Sequence, residues 1–133
     1  MSDLSERQLF SSGSAFEPVV GYSRAVRVGS WVAVSGTTAS SPDGVVGGAD
    51  AGEQARETLR RIAAALDQAG AKLANVVRTR VFLTDIADFD AVGRVHGEFF
   101  CDIRPTTTIV AVSALASPAL RVEIEADAIV PDA

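Results

Sequence analysis

Four charged residues alternate with apolar residues near the C-terminal end of the sequence. Arg121, Glu123, Glu125 and Asp127 occupy every second position within Leu120–Ile129. Because successive side chains of a strand point to opposite faces, this segment predicts a strand with one apolar and one charged face. Its carboxylates could simply meet water. One that is sheltered by burial would have a raised pKa and could shuttle a proton or activate a water molecule.

The remaining side chains able to do chemistry are few and lie apart in the sequence. His96 falls on the apolar stripe of a predicted helix, as core histidines do, and Cys101 has no base beside it. One cysteine and one histidine make neither a disulfide nor a zinc site, so we expect no metal and no cofactor. Tyr22 could bond a ligand or cap a strand. The segment Ser35–Thr37 could offer a backbone N–H to a carboxylate or form a plain turn.

Composition limits the partners that the chain can have. Its 133 residues, 47% of them apolar, predict a single domain, residues 1–133, with one core. The net charge of −5 repels phosphate, and the arginines are scattered, so we expect neither nucleic acid nor membrane as a partner. The polar segment Met1–Arg7 does not resemble a signal peptide, and no apolar run is long enough to span a bilayer. The predicted location is the cytoplasm.

Hydrophobic periodicity predicts the order β-β-β-α-β-α-β-β. The predicted strands are Gln8–Ser11, Ser23–Val28, Trp31–Ser35, Asn75–Thr84, Thr106–Ser113 and Leu120–Ile129, the predicted helices are Asp50–Ala69 and Asp88–Phe100, and the predicted loops include Ser12–Gly21 and Ser40–Gly48. Hairpins followed by helical crossovers predict an α+β fold, with a mixed six-stranded sheet and both helices on one face. The other face is too apolar to stand in water, and an oligomer is its simplest cover.

The sequence also predicts which side chains of these elements face the core and where the first helix begins and ends. The apolar run that begins at Trp31 predicts a strand buried on both faces. Val77 is expected on the core side of its strand. Asp50 and Gly70 are the expected start and stop signals of the first helix. The expected inward stripe of the second helix is Phe89, Val92, His96 and Phe99.

Motifs spread from about Gln8 to Val130 resemble those of the RidA (YjgF) family. They are Gly21-Tyr22-Ser23, Trp31-Val-Ala-Val-Ser-Gly36, Val81-Phe-Leu-Thr-Asp85, Asp88-Phe89, Glu98-Phe-Phe100, Arg104-Pro105 and Val122-Glu-Ile-Glu-Ala126. The resemblance implies a chorismate-mutase-like fold and a homotrimer with small-molecule sites in the clefts between subunits. The best-known members hydrolyse reactive enamines and imines, such as 2-aminoacrylate, to keto acids and ammonia.

The resemblance also implies roles for single residues. Glu123 matches a catalytic glutamate that positions or activates water. The positions that match substrate-binding ones are Tyr22, Ser35, Gly36, Phe89, Gly93, Thr107 and Ile109.

The chain departs from the family pattern where a ligand carboxylate would be held. Deaminating members have an arginine two residues after the proline, and this chain has Thr107 there. Loss of a bidentate arginine–carboxylate contact costs about 2–5 kcal/mol of binding if nothing replaces it. Arg104 could replace it, although the sequence does not show where its side chain points. This chain has Gly93 where characterised members have an asparagine, and Ile109 where they commonly have a cysteine.

Two functions are therefore kept open. The first is hydrolysis of a small imine, enamine or related C–N bond, with Glu123 orienting water. The alternative is a small-molecule binding or protein-protection protein without turnover, which the loss of the arginine favours. A ribonuclease activity, which is often attached to this family's name, is disfavoured by the acidic charge and the scattered arginines.

Overall fold

The computed structural model describes residues 6–131, which contain eleven α-helices and β-strands besides two 3₁₀ turns. They are β1 (Arg7–Phe10), α1 (Phe16–Val20), β2 (Ala25–Val28), β3 (Trp31–Thr37), β4 (Ser40–Ser41), β5 (Gly44–Val45), α2 (Ala51–Gln68), β6 (Val76–Leu83), α3 (Phe89–Phe100), β7 (Thr106–Ala111) and β8 (Val122–Ile129).

Six of the strands form one mixed sheet in the order β1-β2-β3-β8-β6-β7. All neighbours are antiparallel except β6 and β7, which run parallel and are joined through α3. Such a parallel pair needs a crossover, which the helix supplies. The predicted α+β fold with a mixed six-stranded sheet is confirmed.

The helix α2 begins and ends where its sequence signals predict. The side chain of Asp50 accepts a hydrogen bond from the N–H of Glu53 at 3.1 Å, which caps the first turn. Gly70 has a φ of +78°, a conformation that ends helices and suits glycine. The side chain of Arg27 adds a hydrogen bond to the carbonyl of Ala69 at 2.7 Å, which ties this helix end to β2.

The core lies between the sheet and the helices α2 and α3, which pack on the same face. The alternation of β8 is confirmed, because Val122, Ile124, Ala126 and Ala128 are fully buried while Glu123, Glu125 and Asp127 are only partly covered. The four apolar side chains therefore face the helices, and the carboxylates lie on the opposite, open face of the sheet.

The prediction that the strand from Trp31 is buried on both faces is wrong for the single chain. Val32 and Val34 are buried under the helices, but Trp31 is 54% exposed. Both helices cover one face, so every second residue of β3 is left on the open face. Ile129, which pairs with Trp31, is exposed beside it.

Two further predictions of core-facing side chains are wrong, because an irregularity changes which residues of the element face the core. A β-bulge between Val76 and Arg78 buries Val76 and leaves Val77 exposed. The helix α3 follows a 3₁₀ turn, Ile86–Asp88, so Phe89 lies at its exposed start. The buried stripe of α3 is Val92, Val95, His96 and Phe100.

Short elements interrupt two of the predicted loops. The segment Ser12–Gly21 contains α1, and Ser40–Gly48 contains the β4–β5 hairpin. No helix within residues 6–131 is long and apolar enough to cross a membrane. The prediction for Met1–Arg7 falls almost entirely outside the described residues.

Candidate functional site

Glu123 lies directly over Gly36 on the open face of the sheet. The pairing of β3 with β8 shifts between Val34, which pairs with Ala126, and Thr37, which pairs with Ile124, so Ser35 and Gly36 form a bulge next to Glu123 on the paired strand. A Cβ atom added at Gly36 would stand 2.3 Å from Oε2 of Glu123. A side chain at position 36 would collide with the carboxylate in this position, so only glycine leaves room for it. This explains the glycine in the segment Ser35–Thr37, whose role the sequence alone did not decide.

The surroundings of Glu123 favour its protonated form. Partial burial, followed by repulsion from Glu125, raises the pKa of the Glu123 carboxyl above its ordinary value, and Arg24 opposes the shift. A carboxylate with a raised pKa accepts a proton more readily, as a general base must.

Arg24 supports the backbone beside this carboxylate, and it is not among the residues predicted from the sequence. Its Nη1 donates to the carbonyl of Gly36 at 2.8 Å and to Oγ1 of Thr37 at 3.1 Å, which holds the bulge in place. Its guanidinium lies 5.7 Å from the centre of the Tyr22 ring, within range of a cation–π contact. The spacing of two between Tyr22 and Arg24 is the signal that could have revealed it.

The loop that carries Tyr22 is anchored by a buried carboxylate. Glu17 accepts hydrogen bonds from the hydroxyl of Ser12 at 2.6 Å and from its N–H at 3.0 Å. The bond from the Ser12 hydroxyl is the main reason why the pKa of Glu17 falls to about 2. The carbonyl of Glu17 in turn accepts from the N–H of Tyr22 at 3.0 Å, which fixes the backbone at Tyr22.

Ser35 is engaged within the fold. Its hydroxyl donates to the carbonyl of Ser23 at 2.6 Å, and its N–H donates to the carbonyl of Arg24 at 3.0 Å. Ser35 therefore fixes the backbone beside Gly36 through its own hydrogen bonds.

Thr107 and Ile109 lie on β7 and face the helices. They pair with Thr79 and Val81, both fully buried. Oγ1 of Thr107 is 2.9 Å from Oγ1 of Thr79. The register therefore places Thr107 and Ile109 on the face opposite to Glu123.

The hydrogen bonds of Thr107 continue inward to His96. Oγ1 of Thr79 is 2.9 Å from Nε2 of His96, so a chain of three side chains runs from the sheet edge into the core. Burial lowers the pKa of His96, which favours its neutral form. Its ring also packs against the ring of Phe100 at an angle of 38°, with 4.6 Å between ring centres. The expected core histidine is thus also a hydrogen-bonding partner.

Phe89 and Gly93 lie one turn apart on α3. Phe89 is half exposed, and a Cβ atom added at Gly93 would meet nothing within 4 Å. The glycine therefore leaves an open space on the helix surface where a longer side chain would project.

The candidate residues lie on two sides of the sheet, and the residues of each side are named here after one member. The Glu123 group consists of Tyr22, Arg24, Ser35, Gly36 and Glu123, and the Thr107 group consists of Phe89, Gly93, Thr107 and Ile109. Across the sheet, β8 and β6 separate β3 from β7, so three strand spacings, about 14 Å, lie between the strands that carry them. The groups also occupy opposite faces. One chain alone does not bring them together.

Within residues 6–131, no three His, Cys, Asp or Glu side chains lie close enough together to hold a metal ion. The chemistry available to these two groups is that of a carboxylate, a phenol, guanidinium groups and hydroxyls.

Comparison with known proteins identifies the family. Residues 12–130 match the model of the Endoribonuclease L-PSP family. A crystal structure of a Mycobacterium tuberculosis member of the YjgF/YER057c/UK114 family matches with a TM-score of 0.87 and 55% identity, covering 94% of this chain and all of that one. The chain belongs to this family, which is the RidA (YjgF) family, and its fold is the chorismate-mutase-like fold of that family.

Curated relatives extend over most of the chain. The human 2-iminobutanoate/2-iminopropanoate deaminase is 33% identical over 124 residues, which are 92% of this chain and 90% of that protein. An uncharacterised protein of Streptomyces coelicolor is 38% identical over 117 residues, 88% of this chain and 87% of that protein.

Proposed function

We propose that this protein hydrolyses a small imine or enamine, with Glu123 as the residue that activates water. The observation that carries the proposal is the carboxylate of Glu123, held over a glycine bulge in surroundings that raise its pKa. The deaminases among its relatives support the reaction class. The proposal treats residues 1–133 as one domain, acting without cofactor in the cytoplasm.

The chemistry requires one water molecule and proton transfers. Glu123 accepts a proton from water as the water oxygen bonds to the carbon of the C=N group, and Glu123 then passes this proton to the nitrogen. In the resulting carbinolamine, Glu123 takes the hydroxyl proton and delivers it to the nitrogen as the C=O bond forms and the C–N bond breaks. Ammonia leaves, the carbonyl product forms and Glu123 is returned to its starting charge.

The site requires a second copy of the chain. The Glu123 group and the Thr107 group lie on opposite faces of one sheet, so they can share a ligand only if they come from different subunits. The open face, with exposed Trp31 and Ile129, offers surface for such a contact. We propose the homotrimer that the family resemblance implies, with one cleft per subunit pair.

A binding or protein-protection role without turnover remains the second candidate. Thr107 supports it, because its neutral hydroxyl is already bonded to Thr79 and cannot replace a guanidinium. Nucleic acid is not proposed as a ligand, because the net charge is −5.

Ammonia release from 2-iminopropanoate generated in situ tests the two candidates. We expect the wild type to accelerate release and Glu123→Gln to slow it by roughly 10²- to 10⁴-fold. Asp127→Asn is the matched control, because it removes a carboxylate from the same face of β8 and should retain activity.

Two outcomes would contradict the hydrolase. One is a wild type no faster than buffer, and the other is a Glu123→Gln variant as fast as the wild type. Activity that appears only in Thr107→Arg would assign the natural protein to the binding role.

A further inference from the structure

A pocket of about 270 Å³ lies between the end of α3 and the start of β7. Thr107 lines it on the strand side, and His96, Gly97 and Cys101 line it on the helix side. A Cβ atom added at Gly97 would meet nothing within 4 Å, so space is left on the helix side. Thr107 is exposed, so a ligand in this pocket can reach its hydroxyl.

The hydroxyl of Thr107 has two partners within the chain. Its Oγ1 lies 2.9 Å from Oγ1 of Thr79 and 3.3 Å from the carbonyl oxygen of Pro105. A threonine hydroxyl has one proton to donate and two lone pairs that accept. The carbonyl of Pro105 can only accept, whereas the hydroxyl of Thr79 can do either. The direction of the bond to Thr79 therefore decides where the proton of Thr107 goes.

His96 allows two directions for this chain of hydrogen bonds. Oγ1 of the fully buried Thr79 is 2.9 Å from Nε2 of His96. If Nε2 carries a proton, His96 donates to Thr79, Thr79 donates to Thr107, and Thr107 donates to the carbonyl of Pro105. If Nε2 is bare, Thr79 donates to His96 and Thr107 donates to Thr79. In both cases the chain uses the proton of Thr107 and leaves a lone pair of its oxygen for a ligand.

Arg104 lines the same pocket, and its guanidinium can only donate. Arg104 and Thr107 thus offer a donor and an acceptor to one ligand. A primary carboxamide matches both, because its carbonyl oxygen accepts and its NH₂ group donates. A carboxylate only accepts, so one of its oxygens would meet the lone pair of Thr107 without a proton between them.

We propose that Thr107 determines specificity by accepting a hydrogen bond from the NH₂ group of a 2-imino amide, so that this protein prefers a neutral carboxamide to a carboxylate. The inference rests on the proposed function, since it names the class of imine that the cleft takes. A 2-imino acid is then still hydrolysed, but it binds more weakly than its amide.

Titration calorimetry of the full chain with three stable oxo compounds tests the preference. They are 2-oxopropanamide, 2-oxopropanoate and methyl 2-oxopropanoate, which differ only in the group that meets Thr107. The ester is neutral like the amide but has no N–H to donate. We expect the wild type to bind the amide about fivefold tighter than either of the others, as one net hydrogen bond gives.

Variants at position 107 separate the hydrogen bond from the shape of the pocket. Thr107→Val keeps the shape and removes the acceptor, so the amide should bind no tighter than the ester. Thr107→Ser restores the hydroxyl and should restore the preference. Thr107→Arg replaces the acceptor by donors and should reverse the preference towards 2-oxopropanoate. The control Thr108→Val removes a hydroxyl from the opposite face of β7 and should behave like the wild type.

Thr79→Val tests the chain of hydrogen bonds without changing Thr107. Valine has nearly the shape of threonine, but it neither accepts from Thr107 nor donates to it. The hydroxyl of Thr107 is then free to turn, so the preference for the amide over the acid should fall severalfold. Thr79→Ser keeps the hydroxyl and should keep the preference. An unchanged preference in Thr79→Val would show that Thr79 does not orient Thr107.

Three results would overturn the proposal. They are a wild type that binds the acid as tightly as the amide, an amide preference that survives in Thr107→Val, and a wild type that binds none of the three compounds at millimolar concentration.

The proposed function fails separately. If the amide preference depends on Thr107 but neither the imino acid nor the imino amide is hydrolysed, the specificity stands and the hydrolase falls. If both imines are hydrolysed with equal kcat/KM, the hydrolase stands and the specificity falls.

Discussion

At the scale of single residues, the candidate base depends on three close neighbours. Gly36 leaves the space that the carboxylate of Glu123 occupies. Arg24 bonds to the carbonyl of Gly36, and the charge of Glu125 repels the charge of Glu123.

Glu123→Gln should abolish most hydrolysis and at the same time stabilise the fold at neutral pH. Because the native state raises the pKa of Glu123, the folded chain holds this proton more tightly than the unfolded chain does. The free energy of unfolding therefore falls as pH rises from the ordinary pKa of 4.5 through the higher native value. Glutamine does not ionise, so the free energy of unfolding of Glu123→Gln should not fall for this reason.

Thermal unfolding of both proteins from pH 4 to pH 8 measures this effect. The Tm of Glu123→Gln should rise relative to the wild type as pH rises. A difference that is constant or shrinks with pH would show that Glu123 is not held in surroundings that disfavour its charge. The rate of hydrolysis should rise over the same interval, since a base must be ionised.

Gly36→Ala should lower activity with little loss of stability. The new Cβ would displace Oε2 of Glu123, the mobile end of a flexible side chain, so the sheet need not move. A displacement of about 1 Å can cost roughly 100-fold in rate. The matched measurement is the double variant with Glu123→Gln, in which alanine at position 36 should have no further effect. A further loss there would mean that Gly36 acts by another route.

At the scale of elements, two loops next to the helices depend on one buried amide. Gln54 on α2 is fully buried, and its Nε2 donates to the carbonyls of Gly48 and Ala119 at 2.7 and 3.0 Å. Its Oε1 accepts from the N–H of Arg121 at 2.9 Å. The amide thus ties the loop before α2 to the start of β8.

Gln54→Leu should destabilise the protein strongly. Leucine fits the volume but leaves three backbone groups without partners, at about 1–3 kcal/mol for each that stays buried. Urea unfolding should show a loss of about 2–5 kcal/mol. Gln68→Leu, at an exposed position of the same helix, should change stability by less than about 0.5 kcal/mol. Similar effects at the two positions would contradict this role of Gln54.

The elements show which features the sequence could predict. Long periodic segments such as α2 and β8 were predicted within a few residues, because many side chains repeat the same signal. The exposure of Val77 and Phe89 was not predicted. A single bulge or 3₁₀ turn changes which side of the element faces the core, but it leaves no repeating pattern in the sequence. The helix α1 is too short to be detected by periodicity.

The candidate residues could be named from the family motifs, but the contacts between them could not be predicted from the sequence. Glu123 and Gly36 stand in motifs, and the structure places them together. Arg24 and the hydrogen bond between Thr79 and His96 join residues from different elements, and only the packing reveals them.

At the scale of the whole molecule, the two groups of candidate residues predict sites shared between copies. Copies with Glu123→Ala lack the base, and copies with Thr107→Trp lack the exposed hydroxyl of the Thr107 group, so neither variant alone should hydrolyse imines. A mixed trimer can pair an intact base from one copy with an open Thr107 group from another.

Refolding the two variants together in equal amounts tests this arrangement. Half of the copies carry an intact Glu123, and the other half carry an intact Thr107 group. A site between two copies combines both in about a quarter of cases, so about a quarter of the sites should be restored. Sedimentation of the wild type should give a trimer. A monomer, or no recovery of activity in mixed trimers, would show that the cleft between subunits is not the site.

The position of β8 also affects how the protein is made. It comes last among the strands but lies between β3 and β6, so that Ala126 pairs with both Val34 and Thr79. Until β8 leaves the ribosome, both neighbouring strands present unpaired edges, which are prone to aggregate. The two parts of the sheet that β8 joins therefore pair with each other only after β8, the last strand of the described residues, has been synthesised.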